Sequence, residues 1–351
     1  MKLLLVLMSL TLAACSPSPD EIAQDYLERI ARVTSENVPD IPEFLNTPPP
    51  LTQVKQQSYL IESGKVSLLD FLKLQSCELA QSLGYKNSQL GKLAPASQKM
   101  HLERDFMLLA PACIETLQSS NADLAQLLDQ ALQQKRQQAL KIWWNAWFAE
   151  AEWQAYISGS RDLMELGGAT PGHIRPGLVA LDYALDQGAN WQQQAYDYSD
   201  SDMEQQLQQL HLAESLSRWR NSLRVMTLSL YRVASMLEQS QQKKTLCSDG
   251  VEKKQAEYLR NVFNQFYVAQ IQPYLGRIYN FGNELWPRLN AVKSLAKELN
   301  SEQTAHPLFL LWYESLKLEK QQFEQMNLRH VKAWQTLLEE CGQSPGRNDA
   351  K

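Results

Sequence analysis

The sequence predicts an all-α protein, an elongated bundle of long antiparallel helices with a Pro-rich strap near its N-terminus. Three observations carry that expectation. Gln, Leu, Ala, Glu and Lys dominate, residues that favour helices, and the one short strand candidate is Ser58-Tyr59-Leu60-Ile61. Two apolar seams alternate in steps of 4 and 3, the first through Leu212, Leu216, Trp219, Leu223, Met226, Leu230, Val233 and Leu237. The second runs through Leu275, Ile278, Gly282, Leu285, Leu289, Val292, Ala296 and Leu299. Such seams belong to helices packing at shallow angles. No repeat recurs at a period of about 34 or 40 residues, so one bundle is expected rather than a solenoid.

Taken in order, a first amphipathic helix is expected over Asp20 to Val33, where Ile22, Tyr26, Leu27 and Ile30 fall at helical spacing. Pro39, Pro42 and Pro48-Pro49-Pro50 then interrupt helix. Ile41, Phe44, Leu45 and Leu51 in the same run want burial, which favours a strap across the bundle over a Pro-rich ligand for a partner. Ser67-Leu68-Leu69-Asp70 has the pattern of a capping box opening a helix through Cys77 to Leu83. A turn over Gly84 to Gly91 leads to a helix from Ala96 to Ala110, broken at Pro111. A long helix from Asn121 runs into Trp143. Ser201-Asp202-Met203-Glu204 reads as a capping box ahead of the first seam, Pro273 and Pro287 kink the second, and a last helix spans Pro307 to Glu340. Glycines and prolines concentrate between Ser158 and Gly177, the best internal boundary. The expected organisation is a leader over 1–14, a short helix and strap over 15–57, an N-terminal helical half over 58–165, a long-helix bundle over 166–342 and a disordered tail over 343–351.

The charge balance is mildly acidic, 34 Lys and Arg against 39 Asp and Glu, with no basic stripe, which disfavours a nucleic-acid partner. The first fourteen residues carry one Lys and an apolar run too short to span a bilayer. They end in Leu12-Ala13-Ala14-Cys15, which resembles the lipobox of bacterial lipoproteins. The resemblance implies a diacylglycerol thioether on Cys15, cleavage after Ala14 and acylation of the new amino terminus. Ser16 stands where an Asp often signals retention in the inner membrane. By resemblance to that sorting rule, the anchor is expected in the outer membrane, facing the periplasm, with the inner membrane as the alternative.

Cys77, Cys113, Cys247 and Cys341 remain, an even number that in an oxidising compartment predicts two disulfides. Three connectivities are open. Cys77–Cys113 with Cys247–Cys341 is favoured, because each pair brackets helices that fold back on themselves. No Cys-x-x-Cys occurs, so neither a thioredoxin-type site nor a zinc knuckle is indicated.

Two segments invite a ligand. Trp143, Trp144, Trp147 and Phe148, with Trp153, would wall an apolar groove or stack on sugar rings if exposed, and would form core if buried. The Gly-rich loop Leu166 to Gly177 places His173 and Arg175 where they would meet an anion, or serves only as a connector. No Gly-x-Ser-x-Gly or His-Glu-x-x-His occurs, and the five histidines show no i, i+4 pair, so no catalytic set, metal site or cofactor is expected.

The run Leu68-Leu69-Asp70-Phe71-Leu72-Lys73-Leu74, then Cys77-Glu78-Leu79, Asn87-Ser88-Gln89-Leu90-Gly91 and Leu108-Leu109-Ala110-Pro111-Ala112-Cys113-Ile114, resembles a family of gammaproteobacterial lipoproteins catalogued as a domain of unknown function. The resemblance implies an envelope location and pairing of the two cysteines that bracket this segment. It implies no activity, cofactor or catalytic residue. The functional expectation is a lipid-anchored envelope protein with a non-catalytic interaction or scaffolding role toward another envelope protein. The alternative is a lipid or small-ligand carrier using the Trp143–Trp153 segment. An enzyme of unrecognised type is the third reading.

Overall fold

Helix follows helix along nearly the whole chain, and the physical reasons for each start and stop are local. A computed structural model describes residues 17–46, 53–62, 74, 77–166, 175–248, 251–299 and 307–342. The leader with Cys15 and Ser16, the Pro48–Pro50 run, the Ser67–Asp70 capping box, His173 and the tail after 342 lie outside the described residues. Helix α1, Pro19–Thr34, is closed by a capping box in which Ser18 and Glu21 exchange backbone and side-chain hydrogen bonds. It buries Ile22, Tyr26, Leu27 and Ile30, the residues whose spacing predicts it. A short turn of helix, α2, covers Glu43–Asn46.

The strand expected at Ser58 to Ile61 forms no ladder. The chain from Val54 to Glu62 instead lies as a strap across later helices, with side chains satisfying its backbone. Gln154 accepts from Val54 N, the Trp144 indole donates to Gln57 O, Asn145 both accepts from and donates to Tyr59, and Gln138 accepts from Glu62 N.

Helices α3, Leu79–Asn87, and α4, Gln89–Leu93, occupy much of the span expected as a turn. The Ser88 side chain caps α4, so the interruption is a single residue. Helix α5, Ala96–Gln118, does not break at Pro111. Buried Ala110, Cys113 and Leu117 continue its apolar face past the proline, and the Cys77–Cys113 disulfide fastens that final turn to the start of α3. Asn121 caps α6, Ala122–Gln137, which gives way at Gln138 to α7, Ala139–Phe148, and then α8, Ala151–Ser158. The expected single helix into Trp143 is therefore two.

Helix α9 covers Arg175–Gln192. Ser199, rather than Ser201, caps α10, Asp200–Ala213. Glu214 then turns through a positive φ into α11, Ser215–Gln242. Leu212 is left exposed, while the rest of the first seam, Leu216 to Leu237, is buried. A two-residue antiparallel pairing, β1 Cys247–Ser248 with β2 Val251–Glu252, opens the next hairpin. Helix α12, Lys254–Val262, widens to a π-helical stretch over Phe263–Ile271 and continues as α13, Gln272–Glu298, through Pro287 without ending there. Helix α14 is Pro307–Glu340, as its spacing predicts.

Successive long helices alternate in direction. Arg220 meets Glu319, Glu238 meets Arg329, and Gln241 meets Glu340, so α11 and α14 run in the same direction. Between them α13 runs back: Trp219 donates to Ile278 O and Ser222 accepts from Tyr274. That topology brings the C-terminal ends of α11 and α14 together, where Cys247 and Cys341 are joined. One apolar core extends from Ile22 to Cys341 and takes in residues from both expected halves.

Close helix approach shows at Gly188 on α9, where an added Cβ would lie 2.7 Å from the Trp143 ring. That ring cannot swing away cheaply, because its N–H donates to Ala184 O on the same helix. Helix propensity alone would make Gly188→Ala stabilising by about 1 kcal/mol. Overpacking reverses the sign, and a net loss of about 1–3 kcal/mol is expected in urea denaturation. A higher midpoint for Gly188→Ala would show that the Trp143 side of the core yields.

Candidate functional site

The tryptophan segment is core. Trp143, Trp147 and Trp153 are each 0 % exposed, as is Trp144. Trp143 and Trp147 direct their N–H groups to Ala184 O and Gln187 Oε1 on α9. Phe148, Tyr156 and Trp312 surround Trp153 edge-on or tilted. Rings so enclosed, with two indole donors satisfied inside the protein, offer no wall to a ligand. Of the two readings of Trp143, Trp147 and Trp153, their burial matches core and not groove. Arg175 is exposed at the first residue of α9, while its expected companion His173 lies outside the described residues.

The structure assembles charge elsewhere. Lys86 at the end of α3, Glu103 in α5 and Lys135 near the end of α6 converge, although 17 and 32 residues separate Glu103 from its partners. Glu103 Oε1 accepts from Lys86 Nζ at 2.7 Å and from Lys135 Nζ at 3.1 Å. Lys135 also donates to Glu62 O on the strap at 2.9 Å. Glu103 and Lys135 are buried, and burial pushes the Lys135 ammonium below its ordinary pKa against the pull of Glu103. Glu103 Oε2 is buried and accepts no hydrogen bond.

Two clefts flank this cluster. One, of about 360 Å³, is lined by Leu74, Phe106, Leu124, Leu127 and Leu128, with Lys86 and Lys135 at its polar side. The other, of about 840 Å³, is lined by Lys86, Lys92, Lys99, Glu103 and Glu150 together with Tyr59 and Ile142. Leu83 and Lys86 stand in both walls. Both volumes lie in the range of small-molecule sites, roughly 300–1,000 Å³. Chemically the arrangement offers fixed donors, one vacant acceptor and apolar walls.

The signal for it was in the sequence as charge on an apolar face. Lys135 continues the Leu124, Leu128, Leu132 line of α6, and Glu103 sits among Met100, Phe106, Met107 and Ala110 of α5. Lys and Glu at such positions are buried only when paired.

Two other polar networks bind helices to each other and line neither cleft. His101 bonds to Tyr198 Oη through Nδ1 and to Glu204 through Nε2. Arg104 beside it donates to Tyr198 O and Asp200. This network latches α5 to the start of α10, and burial raises the Tyr198 hydroxyl well above its ordinary pKa. In the core, Trp334 donates to Tyr26 Oη, and the Tyr26 hydroxyl hydrogen-bonds to His330 Nε2, both at 2.8 Å. Tyr267 of the π-helical stretch packs on both Tyr26 and His330.

His330 Nδ1 has no hydrogen-bond partner, and burial pushes the imidazole pKa down to about 3 from 6.5. The unfolded chain therefore takes up a proton near pH 6.5 that the native ring refuses. Its contribution to stability is complete above pH 6.5 and is lost as pH falls toward 3. About 2 kcal/mol should disappear between pH 6.5 and 4.5 from this residue. His330→Gln keeps a hydrogen-bonding group for Tyr26, and its stability curve over that interval should be shallower by up to one proton. Equal slopes for the two proteins would show that the native ring is protonated from solvent.

Among the described residues, no group of three His, Cys, Asp or Glu side chains converges as a metal site, and no helix is long and apolar enough to cross a membrane. No curated protein and no solved structure matches the chain significantly. Residues 23–345, a span holding both disulfides and the whole Lys86–Glu103–Lys135 cluster, match the family described as "Protein of unknown function (DUF3080)", and the chain belongs to that family.

Proposed function

We propose that this protein is a lipid-anchored envelope protein whose helical body holds a small amphiphilic ligand, without chemistry of its own. One observation carries the binding role: two ligand-sized clefts meet at a Lys–Glu–Lys cluster, Glu103 and Lys135 buried and Lys86 half-buried, whose hydrogen-bonding capacity is only partly used among the described residues. The anchor rests on Leu12-Ala13-Ala14-Cys15, and the two disulfides support it, since such bonds persist in oxidising compartments. Ser16 favours the periplasmic face of the outer membrane over the inner membrane.

Native mass spectrometry of the mature protein purified from its own envelope tests the binding role. A retained molecule of constant mass is expected, and a body free of ligand even at low collision energy would overturn it. Labelled palmitate tests the anchor separately. Cys15→Ala should lose the label and leave the membrane fraction, whereas retention of both would end the lipoprotein reading.

A scaffolding role has one observation in its favour. Leu311 and Leu318, seven residues apart on α14, are both exposed, and Phe44 is exposed where Gln322 of α14 donates to its carbonyl. Charged substitutions at Leu311 and Leu318 should abolish copurification of a stoichiometric envelope partner if this stripe binds one. Unchanged copurification would remove the stripe from consideration.

A further inference from the structure

The ligand's chemistry can be read from what the cluster lacks, an inference that rests on the binding role proposed above. An ammonium carries three donors. Lys86 uses one on Glu103, and Lys135 uses two, on Glu103 and Glu62 O. Among the described residues, donors remain on both lysines and two positive charges face one carboxylate. Lys92 and Lys99, also in the wall of the larger cleft, have no carboxylate partner among the described residues. An anion with several acceptor oxygens answers that surplus, and phosphate presents them in a compact group. Glu103 Oε2 asks for the opposite, a donor, and its burial makes the lack costly. The ligand therefore carries a hydroxyl or an ammonium close to its phosphate.

The remaining walls describe the rest of the molecule. Away from Lys86, Lys135, Gln130 and Gln134, the smaller cleft is leucine, alanine and phenylalanine, suited to an alkyl chain. At the larger cleft, Leu60, Leu90 and Leu93 are 86 %, 72 % and 82 % exposed, and their chain neighbours Tyr59, Ile61, Gly91 and Lys92 line the wall. Exposed leucines interspersed with lysines are the composition of a surface that rests at a membrane interface.

We propose that the paired clefts take one phosphate-headed lipid. Its acyl chain lies in the apolar cleft, its phosphate on Lys86 and Lys135, and its headgroup hydroxyl or ammonium donates to Glu103 Oε2.

Calorimetric titration of the full mature chain, disulfides intact, with monomeric lysophosphatidylglycerol tests this. Two controls accompany it: an alkyltrimethylammonium of equal chain length and inorganic phosphate. The lysolipid should bind, the cationic amphiphile should bind at least about tenfold more weakly, and free phosphate more weakly still, because each lacks one of the matched parts. Lys86→Ala, at a half-buried position, should weaken the lysolipid about tenfold, the loss of one charged hydrogen bond, with the thermal midpoint little changed. Lys135→Ala is a weaker test because its loss threatens folding. Leu127→Glu, at the exposed edge of the apolar cleft, serves as the second variant and should weaken the lysolipid without affecting free phosphate.

Equal affinity for the cationic amphiphile, or no effect of either variant, overturns the proposal. Phosphate binding as tightly as the lysolipid also overturns it, leaving an anion site without a lipid. A retained native molecule free of phosphorus would sink the lipid assignment while the binding role stands. An empty native protein that also ignores the lysolipid ends both.

Discussion

Replacing both Cys247 and Cys341 by Ala should lower the free energy of unfolding by about 4–5 kcal/mol, the larger of the two disulfide effects. The bridge spans a sequence separation of 94, against 36 for Cys77–Cys113, and chain-entropy stabilisation grows with the loop closed. The loop also contains the whole α12–α13 passage that carries the chain back between α11 and α14. Without the bridge, the unfolded ensemble is free to separate the two ends that the native topology brings together. Urea unfolding of the double variant against the oxidised parent measures the effect. A loss under about 1 kcal/mol would mean that residual structure in the unfolded chain already holds these ends close. The Cys77–Cys113 double variant should lose less, about 4 kcal/mol or below. The reverse order would show that strain or local packing outweighs loop length.

The same disulfide shows what the sequence could and could not convey. Pairing of Cys247 with Cys341 was favoured from the helices they bracket, and the expected alternation of direction holds along α11, α13 and α14. Two elements joined at a common C-terminal end must be parallel, and the α13 return passage between them makes that possible. Seam residues were legible because period and burial coincide: Trp219, Leu223, Met226, Leu230, Val233 and Leu237 recur at 4 and 3, and all are buried. Boundaries were less so. At Pro111 the expected break lost to buried Ala110, Cys113 and Leu117, and at Ser201 the cap lost to Ser199 two residues earlier.

Tryptophan chemistry was ambiguous for a deeper reason. An indole in a groove and an indole in a core have the same neighbours in sequence, and only the partner of its N–H distinguishes them. For Trp143 and Trp147 those partners lie about forty residues away on α9, a distance no local pattern spans. The cluster at Glu103 was hidden in the same way, since its three members come from three helices. What each helix did carry was a charged residue on its apolar face, and that exception to periodicity, more than any motif, marks where the fold is doing something besides packing.

Arg220 and Glu319 make the same exception on the two parallel long helices α11 and α14. Arg220 falls between Leu216 and Leu223 on the α11 seam, and Glu319 between Leu316 and Phe323 on α14. The guanidinium meets the carboxylate through two hydrogen bonds, at 2.7 and 3.3 Å, and both residues are buried. Arg220→Met leaves Glu319 charged in an apolar seam, and a loss of about 3–5 kcal/mol is expected in urea denaturation. The double variant Arg220→Met/Glu319→Leu removes both charges together, and its stability should return to within about 1 kcal/mol of the parent or exceed it. The coupling in that double-mutant cycle is then larger than either the hydrogen bonds or the packing could give alone. Single variants that cost under about 1 kcal/mol would show that water reaches the pair. A double variant as unstable as Arg220→Met would show that the seam cannot close over two apolar side chains, and that the ion pair sets the spacing of α11 and α14. If the double variant is stable and still forms the Cys247–Cys341 bridge, the parallel register belongs to the apolar seam, with the ion pair only tolerated within it.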